Sequence, residues 1–376
     1  MRITIVQGGF LPIPPLEGGA VEKVWFSLGA EFARLGNPVK HISRLYRDLP
    51  AKEIINGVEH LRIKGFEAPR SRLLLWLREF FYARRAAAIL PPADILVTNS
   101  VWLPTLVRDK TRGAIYVHVG RFPKGQTKLY RRAARLQTVS NAVAEAIKEQ
   151  DPRNVAKVRT IPYPLPCPIE QFDVSRTWPA RRKSILYVGR IHPEKGIHLL
   201  VEAFEELVRR GLVGWRLAVV GPWKPSQGGG GQDYYDSLRR AAGKAANRID
   251  WIGPVFNQRE LVEHYRSAKL FVYPSLAERG ETFGLAPLEA MASGCPALVS
   301  GLGCFRDFIK NGTTGFIFDH HKIPIAATLS QRIAELVSTE ASLLSVAVRA
   351  YRTAQAYNLP EVAEMYLKDF QRVALC

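Results

Sequence analysis

A chain of 376 residues, 47% of them hydrophobic, has enough apolar side chains to build two domains of ordinary size, each with its own core. Its 53 Lys and Arg against 34 Asp and Glu leave a net charge of +19, which favours an anionic partner such as nucleic acid, acidic lipid headgroups or a phosphorylated substrate. The four cysteines (Cys167, Cys295, Cys304 and Cys376) show no Cys-x2-Cys spacing, so neither a zinc site nor a disulfide framework is indicated; with an apolar start too short for a signal peptide and no run of roughly eighteen apolar residues, a cytoplasmic protein is expected.

Residues 3–6 are predicted to form a short buried strand running into Gly8-Gly9, a proline-rich loop and Gly18-Gly19. A helix follows over 21–35, where Val24, Leu28, Phe32 and Leu35 recur at helical spacing, and Gly36 stops it before a strand at 39–42. This β-loop-α-β unit implies a parallel sheet, and glycines ahead of the helix allow close approach of a ligand. Residues 70–90 form a predicted helix ended by Pro91-Pro92, with Leu73, Leu74, Leu77, Phe80 and Phe81 on one broad face and Arg72, Arg78 and Arg84 elsewhere. Packing of that face on the sheet is the commoner outcome. The alternative is a basic amphipathic surface for anionic lipid, with Trp76 and Tyr82 at headgroup level and extra charge from residues 130–135. Strands are expected at 94–98, 113–119, 136–139 and 157–161, with a helix at 142–149 capped by Ser140-Asn141. His118 falls near the carboxyl end of the second of these, the end at which open parallel sheets bind ligands.

The proline-dense stretch 161–168 is the best domain boundary. Beyond it, a strand at 185–188 leads through Gly189-Arg-Ile-His-Pro-Glu-Lys-Gly196 into a helix at 197–209, an arrangement suited to phosphate: Arg190 offers a fork of donors and Lys195 a mobile point charge. Strands at 215–221 and 249–253 flank Gly228–Gly231, expected to be a mobile loop, and a helix is expected at 259–268. A strand at 269–273 then enters the loop carrying Glu281, and Gly284 precedes a helix at 285–293 carrying Glu289. The backbone N–H groups of Phe283, Gly284 and Leu285 at that helix start suit a phosphate, and an ionised Glu289 can accept the two hydrogen bonds of a diol. Strands at 297–300 and 315–318 and two terminal helices, 325–337 and 361–375, complete the chain, and no Asp-x-Asp metal clamp occurs.

The stretch Tyr273–Gly294, with Glu281 and Glu289 in a Glu-x7-Glu spacing, and the Gly-Arg and Lys-Gly pairs at 189–196 resemble the retaining, nucleotide-sugar-dependent glycosyltransferases of family 4, the glycosyl transferases group 1. The resemblance implies an α/β protein of two Rossmann-like domains facing each other across a cleft, the GT-B fold. Residues 1–165 would bind the acceptor, 178–350 the nucleotide sugar, and 351–376 would carry a helix packing back toward the first domain. It further implies that Arg190 and Lys195 hold the donor diphosphate, that Glu281 lies beside the transferred sugar and that Glu289 binds the ribose. His118 would also sit close to the sugar, so Glu281, His118, Lys195 and Arg190 are the expected catalytic groups. Gly18 and Gly19 would face the diphosphate or the acceptor, backbone near Val255 the nucleobase, and backbone at Phe283, Gly284 and Leu285 the donor. No metal and no enzyme nucleophile are expected, and the acceptor would be lipid-linked or a growing glycan in polysaccharide or glycolipid assembly at the inner face of the membrane. Two departures stand out: Gly36-Asn37-Pro38 replaces the usual Gly-His, and Ile161-Pro-Tyr-Pro164 lacks the usual Asn-Gly turn. The competing readings are a nucleotide-sugar-binding protein without turnover and a basic protein that binds membrane or nucleic acid, although no RNP-type, zinc-finger or recognition-helix pattern supports the last.

Overall fold

The computed structural model describes residues 1–17, 19–69, 71–166 and 168–375, and nothing of the Arg72 side chain. The chain forms two compact units, residues 1–166 with 358–376, and residues 167–357. The limits of the second unit therefore lie at 167 and 357, where 178 and 350 were expected.

In the first unit the short apolar runs become strands β1 (Ile3–Val6), β2 (Val39–Arg44), β3 (Lys52–Ile55), β4 (Val58–Ile63), β5 (Ile95–Thr98), β6 (Ala114–Val119), β7 (Arg135–Thr138) and β8 (Val158–Thr160). They form one sheet in the order β3-β4-β2-β1-β5-β6-β7-β8, parallel except where β3 pairs antiparallel with β4. The β3–β4 hairpin was not foreseen. Its turn is Asn56-Gly57, both residues with positive φ, but the mixed polar and apolar letters of an edge strand hide the flanking period. Helices α1 (Ala20–Arg34), α2 (Arg72–Ala88), α3 (Leu103–Leu106) and α4 (Asn141–Gln150) cover the sheet.

Helix α2 lies where expected, but with its faces reversed from the packing expectation. Ala83 and Ala86 enter the core beside Val6, Leu96 and Val117, and Glu79 and Tyr82 are buried with them, whereas Leu73, Leu74, Trp76, Leu77 and Phe81 are exposed. Small residues let the helix axis approach the sheet closely, and the bulky residues are left outside. Tyr82, expected at headgroup level, is fully buried.

The second unit is a six-stranded parallel sheet of β9 (Arg182–Val188), β10 (Arg216–Val220), β11 (Ile249–Gly253), β12 (Ala268–Tyr273), β13 (Ala297–Ser300) and β14 (Phe316–Phe318), in the order β11-β10-β9-β12-β13-β14. The chain winds outward from β9 in one direction and then from β12 in the other, so the strand order reverses between these two neighbours. The helices are α5 (Val174–Thr177), α6 (Ile197–Arg209), α7 (Gln232–Ala241), α8 (Gln258–Ser267), α9 (Leu285–Ala292), α10 (Ile325–Val337) and α11 (Glu340–Ala354). Three of them, α5, α7 and α11, were not expected; α11 packs on α9 and extends the unit past residue 350.

The glycine run 228–231 is not the loose loop its composition suggested. Gly230 N–H donates to the Ile191 carbonyl and Gly231 N–H to the Trp223 carbonyl, each at 2.8 Å, and the Trp223 ring stacks on Tyr235 of α7 at 4.8 Å.

The last helix, α12 (Leu359–Ala374), belongs to the first unit. Tyr366 and Phe370 pack edge-on against Phe32 of α1, and Asp369 accepts from Tyr116 Oη and from both Nε and Nη2 of Arg135 at 2.8–3.0 Å. No described helix is long and apolar enough to cross a membrane.

Candidate active site

Ligands of doubly wound sheets bind outside the carboxyl ends of the strands where the order reverses. In the second unit those ends are Val188 of β9 and Tyr273 of β12, and the loops leaving them carry Arg190 and Lys195 on one side and Glu281 on the other. Pairing of the two strands thus brings together groups some ninety residues apart in the chain. Lys195 Nζ donates to Glu281 Oε2 at 2.7 Å, with side chains only 9% and 12% exposed. The same carboxylate oxygen accepts from Tyr273 Oη at 3.1 Å and Ser275 Oγ at 3.3 Å. The Tyr273 ring stacks on Tyr187, whose hydroxyl donates to the Arg190 carbonyl at 2.9 Å, and burial holds both phenols well above their ordinary pKa. These tyrosines are neutral posts that fix the two loops.

Arg190 is also held from two sides. Its Nη2 pairs with Glu194 at 2.6 Å and its Nη1 donates to the Gly228 carbonyl at 2.7 Å. The glycine run is therefore a brace for this guanidinium. Glu194 escaped the sequence reading, although its position in Pro-Glu-Lys-Gly, four residues after Arg190, was the available signal.

Glu289 lies in the second turn of α9, with Oε2 accepting from Tyr265 Oη at 2.9 Å and Oε1 facing Gln258 Nε2 at 3.4 Å. Both partners come from α8, the helix after the loop that contains Val255, so that loop and Glu289 are tied together. Neither Tyr265 nor Gln258 was singled out in the sequence. Gly284 precedes Leu285 with φ of 94° and no side chain caps the helix start. The Phe283 side chain is core, against Phe308 and Tyr357.

Among the described residues one group has metal-ligand chemistry, Glu278 with His320 and His321, whose ligand atoms lie within 4.8 Å of one another. His320 Nδ1 accepts the Gly301 N–H at 3.1 Å, so Nε2 carries the proton and donates it to Glu278 at 2.8 Å. His320 thus has no lone pair facing the carboxylate, and the group is a hydrogen-bonded pair with the tilted His321 ring beside it.

In the first unit, Gly8 N–H donates to Asn99 Oδ1 at 3.0 Å, joining the loops after β1 and β5, again neighbours where the strand order reverses. His118 is the penultimate residue of β6 and is 3% exposed. The Gln137 amide donates to the Thr138 and Ile161 carbonyls, so its oxygen faces His118 Nδ1 at 2.6 Å, and that nitrogen bears the proton. Nε2 then accepts from Tyr163 Oη at 3.1 Å. Burial lowers the pKa of His118 to about 4, so it is a neutral imidazole at neutral pH. Gly18 lies outside the described residues. Gly19 precedes α1, and the carboxyl of Glu22 rests against it. Burial raises the Glu22 pKa, opposed by its own backbone N–H and by the charge of Arg121. The start of α1 thus already holds an internal acid beside Gly19.

Residues 168–353 match the family model described as glycosyl transferases group 1. A D-inositol 3-phosphate glycosyltransferase of Rhodococcus jostii is 33% identical over 193 residues, 51% of this chain and 40% of that protein, so the chain spans about two-fifths of the relative's length. An uncharacterized glycosyltransferase of Methanocaldococcus jannaschii is 27% identical over 355 residues, 84% of each chain. Among solved structures, sucrose-phosphate synthase of Thermosynechococcus elongatus superposes with a TM-score of 0.78 at 19% identity over 99% of both chains. Anabaena HepE in complex with UDP-glucose does so with a TM-score of 0.68 at 16% identity, covering 99% of this chain and 100% of that one. The reversed strand order, the two braced cations beside Glu281 and these likenesses agree: residues 168–353 match the glycosyl transferases group 1, and the chain has the GT-B fold.

Proposed function

We propose that this protein is a retaining glycosyltransferase that moves a sugar from a nucleoside diphosphate to an acceptor hydroxyl. The observation that carries the reading is the Lys195–Glu281 pair at the carboxyl ends of β9 and β12, with Arg190 on the same loop as the lysine. A diphosphate entering there meets two cations and the start of α9, which together offset the charge that develops as the sugar–phosphate bond breaks. Glu281 accepts hydrogen bonds from the transferred sugar, and Glu289 from the ribose. The acceptor oxygen attacks on the face that the diphosphate leaves and passes its proton to the departing phosphate oxygen, so the configuration is kept without an enzyme nucleophile. With Arg190 and Lys195 supplying the positive charge, the proposed reaction requires no metal.

Support comes from the names of the relatives, which include a phosphatidyl-myo-inositol mannosyltransferase of Mycobacterium tuberculosis, and from neighbours of the same fold that hold UDP or UDP-glucose. The buried thiols of Cys295 and Cys304 fit a reducing cytoplasm. The test is a thermal-shift screen of nucleoside diphosphates followed by hydrolysis of the matching nucleotide sugars. Stabilisation by one diphosphate and slow hydrolysis of its sugar, lost in Lys195→Ala, supports the reading. Stabilisation without hydrolysis or transfer favours the alternative of a binding protein.

A further inference from the structure

We infer that the outer face of α2 is a docking surface for an anionic lipid bilayer. The face is defined by exposure: Leu73 is 82% exposed, Leu77 52%, Phe81 49%, Trp76 44% and Leu74 38%. Leu73, Leu77 and Phe81 follow one another at intervals of four and form one stripe along the helix. A helix serving only its own unit has no use for five large apolar residues in water.

The charge on this helix selects the occupant. Its single acid, Glu79, is turned inward and is 8% exposed, with its carboxyl held by the Ser100 hydroxyl and the backbone N–H groups of Gly9 and Val101. Arg84 and Arg85 are exposed and continue the stripe beyond Phe81. The outward face is therefore apolar then basic, with no negative charge. Trp102 adds an indole at one flank: it lies 5.3 Å from Trp76 and 5.6 Å from Phe80, and its Nε1 donates to the Trp76 carbonyl at 3.0 Å. Arg132 donates to the Thr105 carbonyl in α3, which packs on α2, and so brings further positive charge to that side. Apolar insertion beside indoles and arginines is the pattern of a helix lying in a lipid interface. A second copy fits less well, because a twofold contact sets the arginines of one copy against those of the other.

The inner face of the same helix grips the loop that leaves β1. A Cβ on Gly9 would lie 2.6 Å from the Tyr82 ring, and Glu79 holds the Gly9 N–H. A bilayer on the outer face of α2 thus lies one helix thickness from the loop at the carboxyl end of β1. This arrangement suits an acceptor presented by the membrane; that last step rests on the proposed function, while docking itself does not.

The test is co-sedimentation of the full chain with vesicles of phosphatidylcholine containing about 30 mol% phosphatidylglycerol, against pure phosphatidylcholine, at low salt and at about 0.5 M NaCl. Docking predicts binding to the anionic vesicles that salt weakens without abolishing. The combined variant Leu73→Ser, Leu77→Ser, Phe81→Ser, which alters only exposed positions, should keep its melting temperature and lose at least about tenfold in vesicle affinity. Arg84→Glu with Arg85→Glu should remove the salt-sensitive part. Equal binding of wild type and the triple variant overturns the proposal, as does failure of wild type to bind anionic vesicles. A wild-type dimer that the triple variant converts to monomer overturns it in favour of self-association.

Discussion

Lys195 Nζ sits 2.7 Å from Glu281 Oε2, and this nearly buried ion pair joins the loops that leave two neighbouring strands. Removing one partner strands the other charge in a poorly hydrated place. Lys195→Ala should therefore cost about 3 kcal/mol of stability as well as activity, and Lys195→Met with Glu281→Gln should cost less than Lys195→Ala alone. Denaturant unfolding of the two variants checks this. A double variant less stable than Lys195→Ala would show that the pair is not the coupling.

Glu289 is oriented by Tyr265 and Gln258 of α8. If it binds the ribose, Glu289→Ala should weaken binding of the matching nucleoside diphosphate by about tenfold or more, since two charge-assisted hydrogen bonds are lost. Titration calorimetry measures the effect, and unchanged affinity removes Glu289 from the nucleotide site.

Arg190 spends one amino group on Glu194 and one on the Gly228 carbonyl. A diphosphate must share the guanidinium with a carboxylate of its own sign. Glu194→Gln should then raise diphosphate affinity by about threefold by relieving that repulsion. A fall in affinity would make Glu194 the group that aims Arg190.

The first unit carries an acid-sensitive interior. His60 and His118 are buried, with pKa values lowered to about 4 by desolvation, and His41, stacked on His60 at 5.3 Å, is lowered as well. In the unfolded chain an imidazole titrates near about 6.5, so between there and pH 4 the unfolded state binds more protons. The stability these groups contribute is complete above about pH 6.5 and is lost as pH falls, with a slope approaching about 1.4 kcal/mol per pH unit for each imidazole. Arg62 adds to the penalty at His60 and Glu53 offsets part of it. Denaturant unfolding between pH 7 and pH 4.5, followed by tryptophan emission, should show this slope, and His60→Phe should flatten it.

Much of the fold was legible because parallel strands buried on both faces read as short apolar runs: β1 and β13 fall on the expected residues. Gly-Arg, Lys-Gly and the spaced pair of acids were legible for the same reason, being local. The hairpin β3–β4 was not, since an edge strand shows no clean period, and the glycine run 228–231 was misread because composition does not reveal hydrogen bonds to Ile191 and Trp223.

By itself the sequence determined the class of the chain, two α/β units of mostly parallel strands, and which loops carry the cations and acids, because strand length, glycine position and charge are properties of neighbours along the chain. Only the tertiary structure decided that Lys195 meets Glu281, that Glu194 and Gly228 hold Arg190, and that α2 turns its alanines inward and its leucines out. Those outcomes depend on which strands pair and how closely a helix can approach a sheet, and both are set by contacts between residues far apart in sequence.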